Sequence, residues 1–337
     1  MHIPDAVLSP EVALATGLVG SGALAFGLWR LRDQVRERTT VLMGSMAAFV
    51  FAAQMVNFPL VPFPISGHLM GGVLAAVLLG PWAGSAVIAA VLLVQCFLFG
   101  DGGLTALGAN FLNLGVIGSA GGYAIYAPLR RMIGGRRGIL LGSMAAAWFS
   151  VILASGAFAV ELAASGRGAS FLGVLGWMAL VHAGIGIGEA LITGTVVRFL
   201  LLTRPDLLDD PEALGPARPI GARWARVAGA GLGISLAVAI FLAPLASEAP
   251  DGLEYVGQQK AKFLPPEGAS VSDRPSAPIE GYQMPGLSGY NPALATAASG
   301  LVGTLVVFGV GLSLARSVAS VGQGRPVASE GVGADAA

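Results

Sequence analysis

The chain has 337 residues, 55% of them hydrophobic and 11% charged, with a formal net charge of zero and a mean hydropathy of +0.75. A soluble domain is about a quarter charged, so composition excludes that class, and the charge balance offers no basic surface for nucleic acid. The single cysteine, Cys96, lies inside an apolar run, which excludes a disulfide framework and a thiolate metal cluster. What remains is an all-α, polytopic helical membrane protein.

Hydropathy divides the chain into nine spans. The first covers 12–29 and is followed by Arg30, Arg32, Arg36 and Arg38; the second covers 41–57. An uncharged, proline-rich bend, 58–64, leads to a short third span, 67–80, below the usual ~20 residues. Pro81 opens the fourth span, 81–99, since proline fits the first helical turn. Spans five to seven are 105–126, 139–164 and one within 170–202; Arg130, Arg131, Arg136 and Arg137 close the fifth. A polar segment, 203–223, rich in proline and aspartate, reads as a linker. It separates a seven-helix domain, 1–202, from a two-helix module, 224–316, with spans at 224–246 and 292–314 around a polar loop. The Gly/Ser/Ala tail, 317–337, has the composition of a disordered segment.

Cytoplasmic loops collect Lys and Arg. With the N-terminus outside, 15 of the 19 basic residues face the cytoplasm, and only Arg167, Lys260, Lys262 and Arg274 lie outside. That orientation puts the chain start, His68 and the 100–103 turn on the outer face together. No basic n-region precedes the first apolar run, so no signal peptide is expected. Met1 should be retained, because bulky His2 disfavours its removal.

His2 is one of three histidines. One residue from an α-amine, its backbone nitrogen and imidazole close fused chelate rings with that amine. This planar nitrogen set suits Ni(II) or Cu(II). His68, in Pro64-Ile65-Ser66-Gly67-His68-Leu69-Met70-Gly71-Gly72, stands level with it and offers a fourth nitrogen. Asn110 and Asn113 are three apart, hence on one helix face, and with Asp5 and Ser66 are candidates to orient the ligands from behind. His182 and Glu189 lie seven apart within span seven. An intramembrane ionisable residue is a functional candidate, so a stand-alone proton-coupled metal carrier using this pair is an alternative. A membrane sensor that binds metal without moving it is another. No phosphate loop or hydrolase triad is present; uphill transport would need an energy-supplying partner.

At these residues the sequence resembles a known family. Met1-His2-Ile3-Pro4-Asp5 with Leu8-Ser9-Pro10, Ser66-Gly67-His68-Leu69 with Gly71-Gly72, Phe99-Gly100-Asp101-Gly102-Gly103 through Asn110 and Asn113, and His182 with Ile185-Gly186 and Glu189-Ala190-Leu191-Ile192-Thr193 resemble the CbiM/NikM family. These are the substrate-binding membrane components of energy-coupling-factor transporters for cobalt and nickel. Pro250-Asp251-Gly252-Leu253-Glu254 makes the second module resemble the CbiN/NikN partner, so the chain looks like a fusion of the two. The resemblance implies that Ni(II) or Co(II) is substrate rather than permanent cofactor, held by the Met1 α-amine, the His2 backbone and imidazole nitrogens and the His68 imidazole. It implies a transport subunit of a prokaryotic plasma membrane, the inner one in a Gram-negative cell. It also implies a transmembrane coupling protein and a cytoplasmic ABC-type ATPase pair as partners. Where the family often has glycine and an aromatic residue after Asp5, this chain has Ala6 and Val7.

Overall fold

The computed structural model describes residues 2–167, 169–208, 224–265 and 277–323. Met1, most of the expected linker (209–223) and the tail from 324 lie outside the described residues.

Helix α1, Pro10–Leu31, starts where Ser9 caps it, its hydroxyl accepting from the Val12 N–H at 3.4 Å. It keeps Leu14, Leu18, Phe26 and Trp29 exposed, as a helix facing lipid does. Helix α2, Glu37–Gln54, is by contrast largely buried. A two-residue antiparallel pair follows, β1 (Phe58–Pro59) with β2 (Ser66–Gly67), in the register Phe58 to Gly67 and Pro59 to Ser66. Next come α3, Gly72–Leu79, and α4, Pro81–Phe99, whose last turn is a π-helix from Gln95. Helix α5 is continuous over 107–133 but changes character: Leu107–Asn110 is α, Phe111–Gly121 is π and Gly122–Ile133 is α again. Helices α6, Gly135–Ala164, and α7, Phe171–Thr203, form the most extensive helix pair. The second module supplies α8, Trp224–Leu245, a short α9 over 252–260, and α10, Pro292–Gln323. Both α8 and α10 pack along α2.

Six helices among the described residues are long and apolar enough to cross a membrane: α1, α4, α6, α7, α8 and α10. The third span differs from expectation. The apolar run 67–80 yields only eight helical residues, about 12 Å of helix against a hydrocarbon core of about 30 Å. Pairing of Ser66–Gly67 with β1 and a left-handed Gly71, at φ 77°, hold 66–71 out of the helix. Non-helical backbone at such depth must be satisfied from within the protein. Here the buried Glu189 carboxylate does so, accepting from the N–H groups of Met70 and Gly71 just ahead of α3.

The tail also differs. Residues 317–323, expected to be disordered, continue α10. Once a helix is running, each further residue adds a bond at little cost, and Ser317-Val318-Ala319-Ser320 contains no breaker.

Candidate metal centre

The chain start is drawn into the molecule. Ile3 is fully buried, with Val7 and Leu8 close behind it. Asn110, in the first turn of α5, grips the Ile3 backbone twice: its Oδ1 accepts from the Ile3 N–H at 2.8 Å, and its Nδ2 donates to the Ile3 carbonyl at 3.1 Å. Gly103 N–H donates to the same carbonyl at 2.8 Å. Two residues on, Asp5 Oδ1 accepts from both the backbone and the hydroxyl of Thr105, at 2.8 and 2.7 Å. The contact needs glycine: a Cβ on Gly103 would stand 2.3 Å from the Asp5 nitrogen.

This clamp brings His2 against His68. Their rings stack with centroids 5.3 Å apart and planes 6° from parallel. His2 Nδ1 lies 3.1 Å from Asp101 Oδ1, and its buried Nε2 has no hydrogen-bond partner among the described residues. His68 Nδ1 lies 3.1 Å from the Leu69 carbonyl. The structure thus places two of the expected ligand-bearing residues side by side. Met1, the third, lies outside the described residues. Among the described residues no three His, Cys, Asp or Glu side chains converge as a metal cluster, so a firmly held ion would need nitrogens from the backbone or chain start as well.

The residues expected behind the ligands divide. Asn110 and Asp5 hold the N-terminal segment. Asn113 turns away, and its Nδ2 donates at 2.9 Å to Glu161 of α6. The common face expected for Asn110 and Asn113 assumed α-helical spacing; from Phe111 the helix is π, and its wider turn separates residues three apart. Ser66 faces the second module instead: its hydroxyl donates to Ala249 O at 2.7 Å, and Pro250 O accepts its N–H at 2.9 Å. His182 and Glu189, read as a pair, serve different partners. Glu189 holds the approach to α3, while His182 Nδ1 sits 2.8 Å from the Met178 carbonyl.

The Pro250–Glu254 motif proves to be a helix start. Asp251 Oδ1 accepts from Glu254 N–H at 2.9 Å, and Glu254 Oε2 accepts from Asp251 N–H at 3.0 Å. This reciprocal capping box begins α9. Pro250 and Asp251 lie along Ser66 as a further short strand contact, and Leu253 is fully buried. A Cβ on Gly252 would meet Ile185 Cδ1 at 2.6 Å and His182 Cε1 at 3.0 Å, so the motif packs closely over α7.

Three participants escaped the sequence reading. Tyr282, from the second module, donates its hydroxyl to Asp101 Oδ2 at 2.6 Å. Its ring stacks on Phe99 with centroids 4.7 Å apart, and its backbone is left-handed at φ 61°, an uncommon state for an aromatic residue. Gln95 Nε2 donates to Gln54 Oε1 at 2.8 Å and to Tyr282 at 3.2 Å, and Gln54 Nε2 donates to the Met70 carbonyl at 3.0 Å. Both glutamines are buried and polar inside apolar helices, and that signal could have found them. Burial pushes the Asp101 carboxyl up, but the His2 imidazole beside it and the bonds from His2 and Tyr282 hold it below the ordinary 3.8. Burial and the Asp101 charge drive the Tyr282 phenol well above its ordinary 10. The phenol therefore remains a donor and the carboxylate an acceptor.

A family model described as the cobalt uptake substrate-specific transmembrane region, CbiM, matches residues 2–207, and one described as the PDGLE domain matches residues 225–320. The chain is 33% identical over 319 residues to the putative fused nickel transport protein NikMN of Archaeoglobus fulgidus, covering 94% of this chain and 98% of that one. It is 35% identical to the fused nickel transport protein NikMN of Rhodobacter capsulatus, covering 65% of this chain and 66% of that one. A crystal structure of a truncated transition metal transporter matches it with a TM-score of 0.54 at 31% identity, covering 60% of this chain and 99% of the other.

Proposed function

The chain belongs to the CbiM cobalt-uptake family, continued by a PDGLE domain, and from that premise we propose that it captures Ni(II) or Co(II) at the outer membrane face and passes it inward. Its family consists of nickel and cobalt transport proteins, and the chain is a multi-pass membrane protein. The finer reading is that four nitrogens hold the ion: the Met1 α-amine, the His2 backbone and imidazole nitrogens, and the His68 imidazole. The observation that carries it is the clamp on Ile3, which fixes His2 in parallel contact with His68, 5.3 Å away.

Nitrogen ligands in one plane favour Ni(II), and Co(II) accepts the same set. The six-membered chelate ring uses His2 Nδ1, the atom now facing Asp101. Loading therefore exchanges Asp101 for the ion at that nitrogen: the imidazole proton moves from Nδ1 to the unpartnered Nε2, and the α-amine and His2 amide each give up a proton. Binding weakens as pH falls.

The N-terminus faces outward, in line with the basic residues, and the host is a prokaryotic plasma membrane. Energy comes from a transmembrane coupling protein and a cytoplasmic ABC-type ATPase pair, because the chain carries no phosphate-binding motif of its own. Calorimetry with Ni(II) and Co(II) on full-length protein with a native start, beside protein extended by a few residues before Met1, tests the reading. Extension should abolish tight binding, as should His2→Ala. Tight binding by the extended protein would refute the ligand assignment.

A further inference from the structure

His182 is a histidine that the four-nitrogen site does not use. It lies eleven residues into α7, counting from Phe171, about 17 Å along the helix at 1.5 Å per residue. It is 1% exposed. Its Nδ1 contacts the Met178 carbonyl at 2.8 Å, one turn back. A carbonyl only accepts, so the proton sits on Nδ1 and Nε2 is a bare lone pair. That Nε2 is buried and has no partner among the described residues. Buried acceptors are normally paired, and an exception calls for a reason.

The same side chain lines a cavity of about 20 Å³ with His68, Met70, Asp251 and Gly252, space for about one water molecule or one stripped ion. His68 Nδ1 is tied to a carbonyl in the same way, that of Leu69, which makes Nε2 the basic edge of each ring. Asp251, fixed as a helix cap, also borders the cavity. Gly252 roofs the cavity, close against His182 Cε1.

We propose that His182 is an inner way-station for the transported ion, receiving it from the outer nitrogen site through the cavity shared with His68. The proposal rests on the capture reading above. In the transfer His68 keeps hold of the ion while His182 Nε2 replaces the nitrogens of the chain start. The His2 amide and the α-amine then regain the protons they lost on loading. Two imidazoles alone hold a divalent ion loosely, which suits a site it must leave.

Three forms of the full-length protein decide the matter: native start, His182→Gln and His182→Ala, the glutamine variant keeping bulk and polarity should alanine fail to fold. Ni(II) affinity by calorimetry should stay within a factor of about three of the parent, while radioactive nickel uptake by cells producing the partner subunits falls about tenfold or more. In protein extended before Met1, whose outer site is disabled, a weak residual Ni(II) site should persist and vanish on His182→Ala. Unchanged uptake, absence of the residual site, or its indifference to His182→Ala would overturn the proposal. So would loss of tight capture in His182→Gln, which would assign His182 to the outer site. Tight binding by the extended parent would instead strike down the capture reading and is distinguishable from all of these.

Discussion

Replacing Asn110 with alanine removes both bonds that hold Ile3, at 2.8 and 3.1 Å, without touching any proposed ligand. The Ile3 carbonyl keeps Gly103 as donor, so its loss is about 1 kcal/mol, the net worth of an ordinary hydrogen bond. The Ile3 N–H is left buried and unpaired, which costs about 1–3 kcal/mol. The sum, about 2–4 kcal/mol, favours release of residues 2–5 over the closed arrangement. Only the closed arrangement presents His2 to His68, so the tax falls on affinity. At 1.4 kcal/mol per decade, Ni(II) binding should weaken by about 30-fold or more. The helical core gains no cavity beyond the lost amide, so the melting midpoint in detergent should move little. Calorimetry on native-start protein reads the first quantity and thermal unfolding the second. Parent-like affinity in a folded Asn110→Ala protein would show that the clamp does not organise the site.

Glu189→Gln cannot accept from both the Met70 and Gly71 N–H groups, so it should destabilise the start of α3 by about 2–3 kcal/mol, read as a lowered midpoint. A parent-like midpoint with lost uptake would instead favour a proton-carrying role for Glu189. Gly252→Ala puts a methyl group 2.6 Å from Ile185 Cδ1 and should cost about 1–3 kcal/mol by overpacking, seen as faster hydrogen exchange over 250–256. Tyr282→Phe keeps the stack on Phe99 but loses the bond to Asp101, worth about 1.5–3 kcal/mol to a charged acceptor. Amides 279–283 should then exchange about tenfold faster or more. Because the Asp101 carboxyl is held below 3.8, its contribution is complete above that pH and is lost only as pH falls through the lowered value. The Tyr282→Phe difference should therefore be equal at pH 7 and pH 5, and a difference that faded at pH 5 would contradict the assignment.

The long helices were legible because each carries an uninterrupted apolar run, and bilayer thickness translates length into span. Their ends were less so. Runs at 105–126 and 292–314 extend to residues 133 and 323 in the structure, since a polar residue after a helix does not stop it. The third span misled for a different reason: hydropathy does not distinguish a helix from buried irregular backbone, and what satisfies the Met70 and Gly71 N–H groups ahead of α3 is a carboxylate over a hundred residues away. The same limit governs the site. His2, His68 and Asn110 were visible as polar residues at conspicuous positions. Ser66, Asn113 and Tyr282 were not assignable, because their partners, Ala249, Glu161 and Asp101, are fixed by helix crossings and a π-helical turn that leave no local mark in the sequence.

Among the described residues, the second module reaches the surroundings of His68 and of His2 through different contacts. Pro250 and Asp251 run beside Ser66, two residues before His68, so they fix the backbone that carries one ring. Tyr282 holds the carboxylate that faces the other ring, His2. A shift of the module as a body would disturb both rings together, whereas loss of either attachment alone would disturb one. Gly252 and His182 both line the cavity that His68 borders. The second module thus contacts the surroundings of both imidazoles and also borders the cavity that His182 lines. Joining the two parts in a single chain keeps those contacts within one molecule.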